Sequence, residues 1–188
     1  YGAHAETSVA GPAPRWYLAE GATHSGFDLF YLLQNPSTID VPVRVRYLRP
    51  VGPPLEKTYT LAPLSRTNIW VDHEVFGASA DRALASTDVS AVIETTDGSG
   101  VIVERAMYYT PRGVTFQAGH ESAGVTTPST HWYLAEGATG PFFDLFLLIT
   151  GTIFAALELF GVEQSANASE RGAQAGLSVS LCVQHGAD

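Results

Sequence analysis

The strongest constraint on the fold is an internal repeat at a fixed offset. The segment WYLAEGAT at residues 16–23 recurs at 132–139, and FDLF at 27–30 recurs at 143–146, an offset of 116 residues in both cases. Between residues 16–33 and their counterparts in the second copy, 13 of 18 positions are identical without a gap. A repeat with so long a period indicates a domain-sized module. The chain is therefore an internal duplication.

Alternating patterns in the first copy predict β-strands. Residues 41–48, VPVRVRYL, place valine and tyrosine on one face and arginine on the other, the period of two that is typical of a half-buried strand. Further strands are predicted at 16–20, 27–33, 58–61, 68–71, 89–94 and 101–109. Residues 27–33 are apolar on both faces. About seven strands separated by turn residues predict an all-β fold, an immunoglobulin-like antiparallel β-sandwich.

These patterns divide the chain into three parts. Residues 1–14 contain glycine and two prolines and are predicted to form a linker, and residues 15–130 form the β-sandwich module. Residues 131–188 form a partial or diverged second β-sandwich module. In this part residues 157–161 fall on the third strand of the first copy, and residues 177–183 alternate as a fourth strand.

Charge and cysteine content exclude several classes of protein. The formal net charge is −9 and Lys57 is the only lysine, so nucleic acid and anionic membrane surfaces, which require clustered positive charge, are not expected as partners. The longest charge-free apolar run, residues 145–157, has 13 residues, fewer than the roughly 20 that span a bilayer. We therefore expect no membrane insertion. Cys182 is a single cysteine, which excludes an intrachain disulfide, and no Cys/His spacing suggests zinc.

Five separated segments occur in the order of a known module. They are WYLAEGAT, FDLFYLLQNPS, VPVRVRYL, VSAVIE and VIVERAMYY. Over roughly residues 15–150 the chain resembles the WYLAEG-type module repeated in tandem in large exported bacterial surface proteins. The resemblance implies a β-sandwich repeat of an extracellular or cell-surface protein without an assigned reaction. After Thr150 the second copy has Gly151-Thr152 where the first has an asparagine-proline turn, so it departs from the pattern there.

Paired carboxylates flank a short loop in each copy. Glu20 and Asp28 bracket residues 21–27, and Glu136 and Asp144 repeat the arrangement. Such a pair can bind Ca²⁺, act as acid and base on a glycosidic bond, or accept hydrogen bonds from loop amides and hold the turn. Because both copies carry the pair, we expect the structural role, with Glu20 held by the amides of the loop after it.

Other polar groups are weaker candidates for chemistry. His24 lies in the first loop and can act with the carboxylates as ligand or base, but the second copy has Gly140 there. HESAG at 120–124 approaches the G-x-S-x-G nucleophile elbow with Ser122 at its centre, yet that elbow requires a strand–turn–helix context, so a glycine-containing loop is expected. Residues 72–74, Asp-His-Glu, end a strand on which successive side chains point to opposite sides, and we expect a solvated turn.

Three functions follow as alternatives. The first, which we expect, is a non-enzymatic structural or adhesive repeat module of an exported bacterial surface protein, with no cofactor. The second is a hydrolase, a glycosidase or esterase, centred on the loop of Glu20, His24 and Asp28 or on Ser122. The third is a carbohydrate-binding module that stacks exposed aromatic rings on sugars, although aromatic residues on sandwich strands are mostly core. Its candidate residues are Trp16, Tyr17, Trp132 and Tyr133.

The short second module also predicts a partner. About four strands leave apolar faces and unpaired edges exposed, and two such modules related by a two-fold axis can complete one another. We therefore expect a homodimer through residues 131–188, with glycan or cell wall as a further contact. The alternative is that the second module folds back on the first within one chain.

Overall fold

The computed structural model describes residues 8–78, 80–110, 118–134, 143–151 and 177–185. The chain divides into two compact units, Tyr1–Thr126 and Thr127–Asp188. No helix in these described ranges is long and apolar enough to cross a membrane.

The described residues of the first unit form eight strands in two antiparallel sheets of four. The strands are β1 (Arg15–Leu18), β2 (Phe27–Asn35), β3 (Val41–Leu48), β4 (Leu55–Leu61), β5 (Ser65–Trp70), β6 (Ser90–Thr95), β7 (Ile102–Tyr109) and β8 (Ala118–Ala123), with a 3₁₀ turn at Val71–His73. The first sheet has the order β1-β6-β3-β4 and the second has the order β5-β2-β7-β8. The prediction of an all-β chain is confirmed.

The strands form because their alternation matches a buried and a solvated face. In β3, Val41, Val43, Val45 and Tyr47 are fully buried, and the residues between them are partly exposed. Both sheets contribute to one hydrophobic cluster, which includes Leu29, Tyr31 and Leu33 of β2. Each large apolar side chain that is buried there stabilises the fold by roughly 1.5–3 kcal/mol.

Two isolated antiparallel backbone bridges extend the pairing beyond the strands named above. Ala13 pairs with Val101, with N···O distances of 2.9 and 3.0 Å, so the end of the predicted linker lies against the strands. Tyr17 pairs with Val125 in the same way, at 2.8 and 3.0 Å. Residues 120–123, expected in a loop, belong to strand β8, which is an edge strand of the second sheet.

The second unit contains β9 (Phe143–Gly151) and β10 (Leu177–His185), an antiparallel pair in which Leu147 lies opposite Leu181. The bounds of β9 are those of β2 shifted by 116 residues. Strand β10 covers the alternation predicted at 177–183. The third strand predicted at 157–161 lies outside the described residues.

Candidate functional site

The carboxylate of Glu20 forms a buried ion pair. Its Oε2 lies 2.6 Å from Nη1 of Arg105, and the two side chains are 5% and 1% exposed. Arg105 lies on β7 directly opposite Tyr31, between Val103 and Met107 in the inward-facing register. The loop amides expected to hold Glu20 are replaced by a guanidinium from a strand 85 residues away.

The same guanidinium binds two side chains of the edge strand β8. Nη2 of Arg105 lies 2.6 Å from Nδ1 of His120 and donates to Oγ of Ser122 at 3.0 Å. Because a guanidinium group can only donate hydrogen bonds, His120 Nδ1 is the acceptor, and its lone pair is used in this bond. Ser122 lies within a strand, without the strand–turn–helix context of a nucleophile elbow. The cluster of Glu20, Arg105, His120 and Ser122, here called the arginine cluster, therefore places three polar groups around one buried cation.

Asp28 and His24 have partners outside the arginine cluster. Asp28 Oδ2 accepts a hydrogen bond from Thr110 Oγ1 at 3.1 Å. The His24 ring contacts Asp88 Oδ1 through Nε2 and Ser25 Oγ through Nδ1, both at 2.9 Å. The loop between β1 and β2 thus does not bring Glu20, His24 and Asp28 onto a shared partner.

Asp72 is the buried carboxylate of the 72–74 segment. It is 8% exposed, and its Oδ2 accepts a hydrogen bond from the Leu29 amide at 2.9 Å. Burial raises the pKa of Asp72 to about 6, and the nearby negative charge of Asp28 acts in the same direction. The expected solvated turn is therefore wrong for Asp72.

The neighbours of Asp72 have separate partners. The ring of His73 lies 4.0 Å from that of Trp70, and Glu74 forms an ion pair with Lys57. Among the residues that the structure describes there is no group of three or more His, Cys, Asp or Glu side chains arranged to hold a metal ion.

The aromatic candidates of the first copy are buried. Trp16 and Tyr17 are 1% and 8% exposed, and Trp16 Nε1 donates to the carbonyl of Val101 at 2.8 Å. These rings cannot stack on a sugar at the surface. In the second unit Tyr133 is 93% exposed, and Trp132 Nε1 donates to the Ser129 carbonyl at 3.0 Å.

The second-copy carboxylates fall at the limit of what the structure describes. Glu136 lies outside the described residues, and Asp144 is at the register position opposite Gln184 in the β9–β10 pair.

Exposed aromatic rings occur instead on the outer face of the second sheet. The ring centroid of Phe30 lies 5.2 Å from that of Trp70 and 5.9 Å from that of Tyr108. Trp70 is 40% exposed and Tyr108 is 37% exposed. The sequence indicated this face through β2, whose residues are apolar on both sides of the strand. One side packs in the core, and the other lies on the outer surface of the sheet.

A shallow depression of about 180 Å³ lies on the same outer face. Its lining residues are Leu32, Gln34, Arg66, Ile102, Glu104 and Glu121. They come from all four strands of the second sheet. The aromatic rings and the depression together are called the outer aromatic face below.

Comparison with known proteins supports the fold but assigns no activity. No family model matches the chain, and no curated protein matches it. The crystal structure of Thermotoga maritima 1070 is similar with a TM-score of 0.51 and 11% identity, covering 63% of this chain and 97% of that one. The Anabaena sensory rhodopsin transducer matches with a TM-score of 0.39 and 17% identity, covering 51% and 83% of the two chains. The first likeness shows a shared fold alone.

Proposed function

We propose that the chain is a non-enzymatic structural or adhesive repeat module of an exported bacterial surface protein. The observation that carries this proposal is the arginine cluster. Two of the four candidates for catalysis, Glu20 and Ser122, are both bound to the buried side chain of Arg105, and the other two, His24 and Asp28, have separate partners. A general acid, base or nucleophile must reach substrate, whereas Glu20 is buried in an ion pair with Arg105 and Ser122 accepts a hydrogen bond from the same side chain.

The repeat supports a role as one unit of a longer array. Tandem modules are stabilised unit by unit and serve as spacers or as carriers of binding surfaces. The segment WYLAEGAT and its four companion segments support an extracellular or cell-surface location by resemblance. The finer classification as an immunoglobulin-like sandwich with a partial second copy is part of this proposal. It is supported by two antiparallel sheets around one core. The strand order differs from that of an immunoglobulin domain, in which the first two strands of the chain are neighbours, because β6 pairs with β1 here.

A screen against chromogenic glycosides and esters tests the proposal against the hydrolase alternative. We expect no turnover above buffer for the parent chain, and the same for Glu20→Gln, Asp28→Asn and Ser122→Ala. Turnover that Ser122→Ala or Asp28→Asn abolishes while the melting temperature is unchanged would show a hydrolase. Turnover lost only together with the fold is not evidence for a catalytic side chain, so each variant is melted in parallel.

We also propose that the chain forms a homodimer through the second module. Ile149 is 38% exposed, whereas Leu33, which precedes it by 116 residues, is fully buried. The described residues of the second unit form a two-stranded sheet, which is marginal by itself, and a symmetric partner would cover such a side chain. Light scattering across the micromolar range should give a dimer mass that Ile149→Asp lowers to the monomer. Val51→Asp, at an 82% exposed position of the first unit, is the control and should leave the mass unchanged. A parent chain that is monomeric at every concentration excludes the dimer.

A further inference from the structure

We propose that the outer aromatic face binds an uncharged oligosaccharide. This inference deepens the proposed adhesive role and rests on it. The two exposed aromatic residues in the described part of the first unit, Trp70 and Tyr108, both belong to this face. Aromatic rings present a flat apolar surface with a polar edge, which is the surface that the C–H face of a pyranose ring can cover.

The strand register places the three rings side by side. Phe30 on the central strand β2 lies directly opposite Trp70 on β5, and Tyr108 on β7 lies opposite Asp28, two residues along β2 from Phe30. His73 packs against Trp70 with a ring distance of 4.0 Å. The rings are therefore positioned by paired strands and by a neighbouring side chain, which reduces the entropy lost when a ligand covers them.

A glycine on the edge strand makes room for one of these rings. Gly119 of β8 lies opposite Tyr108, and a Cβ at this position would be 3.0 Å from Cδ1 of the tyrosine ring. The ring can therefore lie close to the backbone of β8. The Tyr108 ring is therefore partly exposed while one side of it packs against β8.

The polar depression continues this surface along the strands. Gln34 follows Phe30 by four residues on β2, so the two positions are about 13 Å apart along the strand. Leu32 lies between them on the same face. A ligand that covers both the rings and the depression must be elongated, as an oligosaccharide of a few pyranose rings is.

The charges of the depression favour a neutral polyol. Arg66 and Gln34 supply N–H donors, and Glu104 and Glu121 supply carboxylate acceptors. Sugar hydroxyls both donate and accept, so they match this mixture. The chain has a net charge of −9 and the depression contains carboxylates, which disfavours sulfated, phosphorylated or uronic acid glycans.

The other sheet provides a contrast within the same unit. Its outer face carries ion pairs that satisfy one another: Glu94 with both Arg15 and Arg44, and Arg46 with Glu56 at 2.8 Å. The exposed aromatic residues in the described part of the first unit, Trp70 and Tyr108, do not lie among these groups. The outer aromatic face differs in combining supported rings with a polar depression.

Affinity electrophoresis and tryptophan fluorescence test the inference on the full chain. The probes are neutral polysaccharides in the gel (hydroxyethyl cellulose, xylan, galactomannan and glycol chitin) and the matching tetrasaccharides in solution. We expect retardation by at least one polysaccharide and a fluorescence change with its tetrasaccharide. Trp70→Ala and Tyr108→Ala should each weaken binding by at least about tenfold, whereas Val51→Ala, which shortens an apolar side chain that is 82% exposed elsewhere in the first unit, should not.

Several results would overturn the inference. These are no retardation by any of the four polysaccharides, binding that Trp70→Ala leaves unchanged in a variant with the parent melting temperature, or binding of tetramethylammonium through cation–π contacts in place of glycan. Failure of the proposed function is a separate result. If reducing ends appear when a bound polysaccharide is incubated with the chain, the module is an enzyme, and the glycan site itself stands.

Discussion

The arginine cluster makes a quantitative prediction about stability. Replacing Arg105 by methionine keeps much of the side-chain volume but leaves the Glu20 carboxylate unpaired at 4% exposure, and removes the donor of His120 and Ser122. Breaking a buried ion pair from one side costs about 3–5 kcal/mol. Glu20→Gln leaves the Arg105 guanidinium, which is 1% exposed, without its counter-charge, so it should also cost about 3–5 kcal/mol.

The assay is urea unfolding followed by tryptophan fluorescence, since Trp16 is buried in the same unit. The double variant Glu20→Gln/Arg105→Met should lose less stability than the two single variants added together, because the second change no longer breaks a pair. The matched control is Arg46→Met, which breaks an ion pair with Glu56 whose side chains are 40% and 45% exposed. That change should cost under about 1 kcal/mol.

Salt separates the two kinds of ion pair further. The effect of Arg105→Met should be nearly the same at low and at molar salt, because a buried pair is screened much less than an exposed one. The small effect of Arg46→Met should disappear at high salt. If Arg105→Met costs no more than the control, or if its effect adds to that of Glu20→Gln without coupling, the reasoning from burial is refuted.

Three further predictions concern packing, pH and metal. Gly21→Ala should cost about 1–3 kcal/mol, since its Cβ would lie 2.6 Å from the Val89 carbonyl oxygen, whereas Gly11→Ala meets nothing within 4 Å and should not; equal melting temperatures would contradict this. Because the folded-state pKa of Asp72, about 6, exceeds its ordinary value of 3.8, the proton stabilises the fold below pH 4 and this contribution is lost as pH rises through 6. The stability difference between Asp72→Asn and the parent should therefore shift in favour of the variant between pH 4 and pH 7, by on the order of 3 kcal/mol, and a difference independent of pH would exclude the mechanism. Excess EDTA should leave the melting temperature unchanged, and a drop restored by Ca²⁺ would instead indicate a metal site.

Hydrophobic periodicity was sufficient where one face of a strand is apolar. The alternation over residues 41–48 predicts a strand with the bounds of β3, because its four inward side chains are all apolar and fully buried. The same argument fails for β8, Ala118–Ala123, whose partly buried side chains include His120 and Ser122. Those residues lie against Arg105, so no apolar period marks the strand.

The candidate site was incompletely predicted for a related reason. Arg105 stands between Val103 and Met107 on the buried face of β7, and a charge at such a position signals a buried pair. Its partner could not be identified from spacing, because Glu20 is 85 residues away and lies beyond the end of β1. The sequence placed Trp70 in a predicted strand but assigned it no function. Whether its ring is buried or exposed depends on how the two sheets pack, which the strand pattern does not show.

The contacts of the repeated octapeptide explain why its recurrence does not imply catalysis. Within WYLAEGAT, Trp16 Nε1 donates to the Val101 carbonyl, Glu20 pairs with Arg105, and Thr23 Oγ1 donates to the carbonyls of Leu84 and Thr87 at 2.6 and 3.1 Å. These partners are 61 to 85 residues away in sequence. Each of these contacts closes a large loop of the chain. The free energy that the contacts contribute must therefore exceed the entropy lost on closing those loops. Substitution at any of these positions would leave a buried polar group unpaired, so folding accounts for the first copy of the motif. None of its residues belongs to the second sheet, which carries the face proposed to bind glycan.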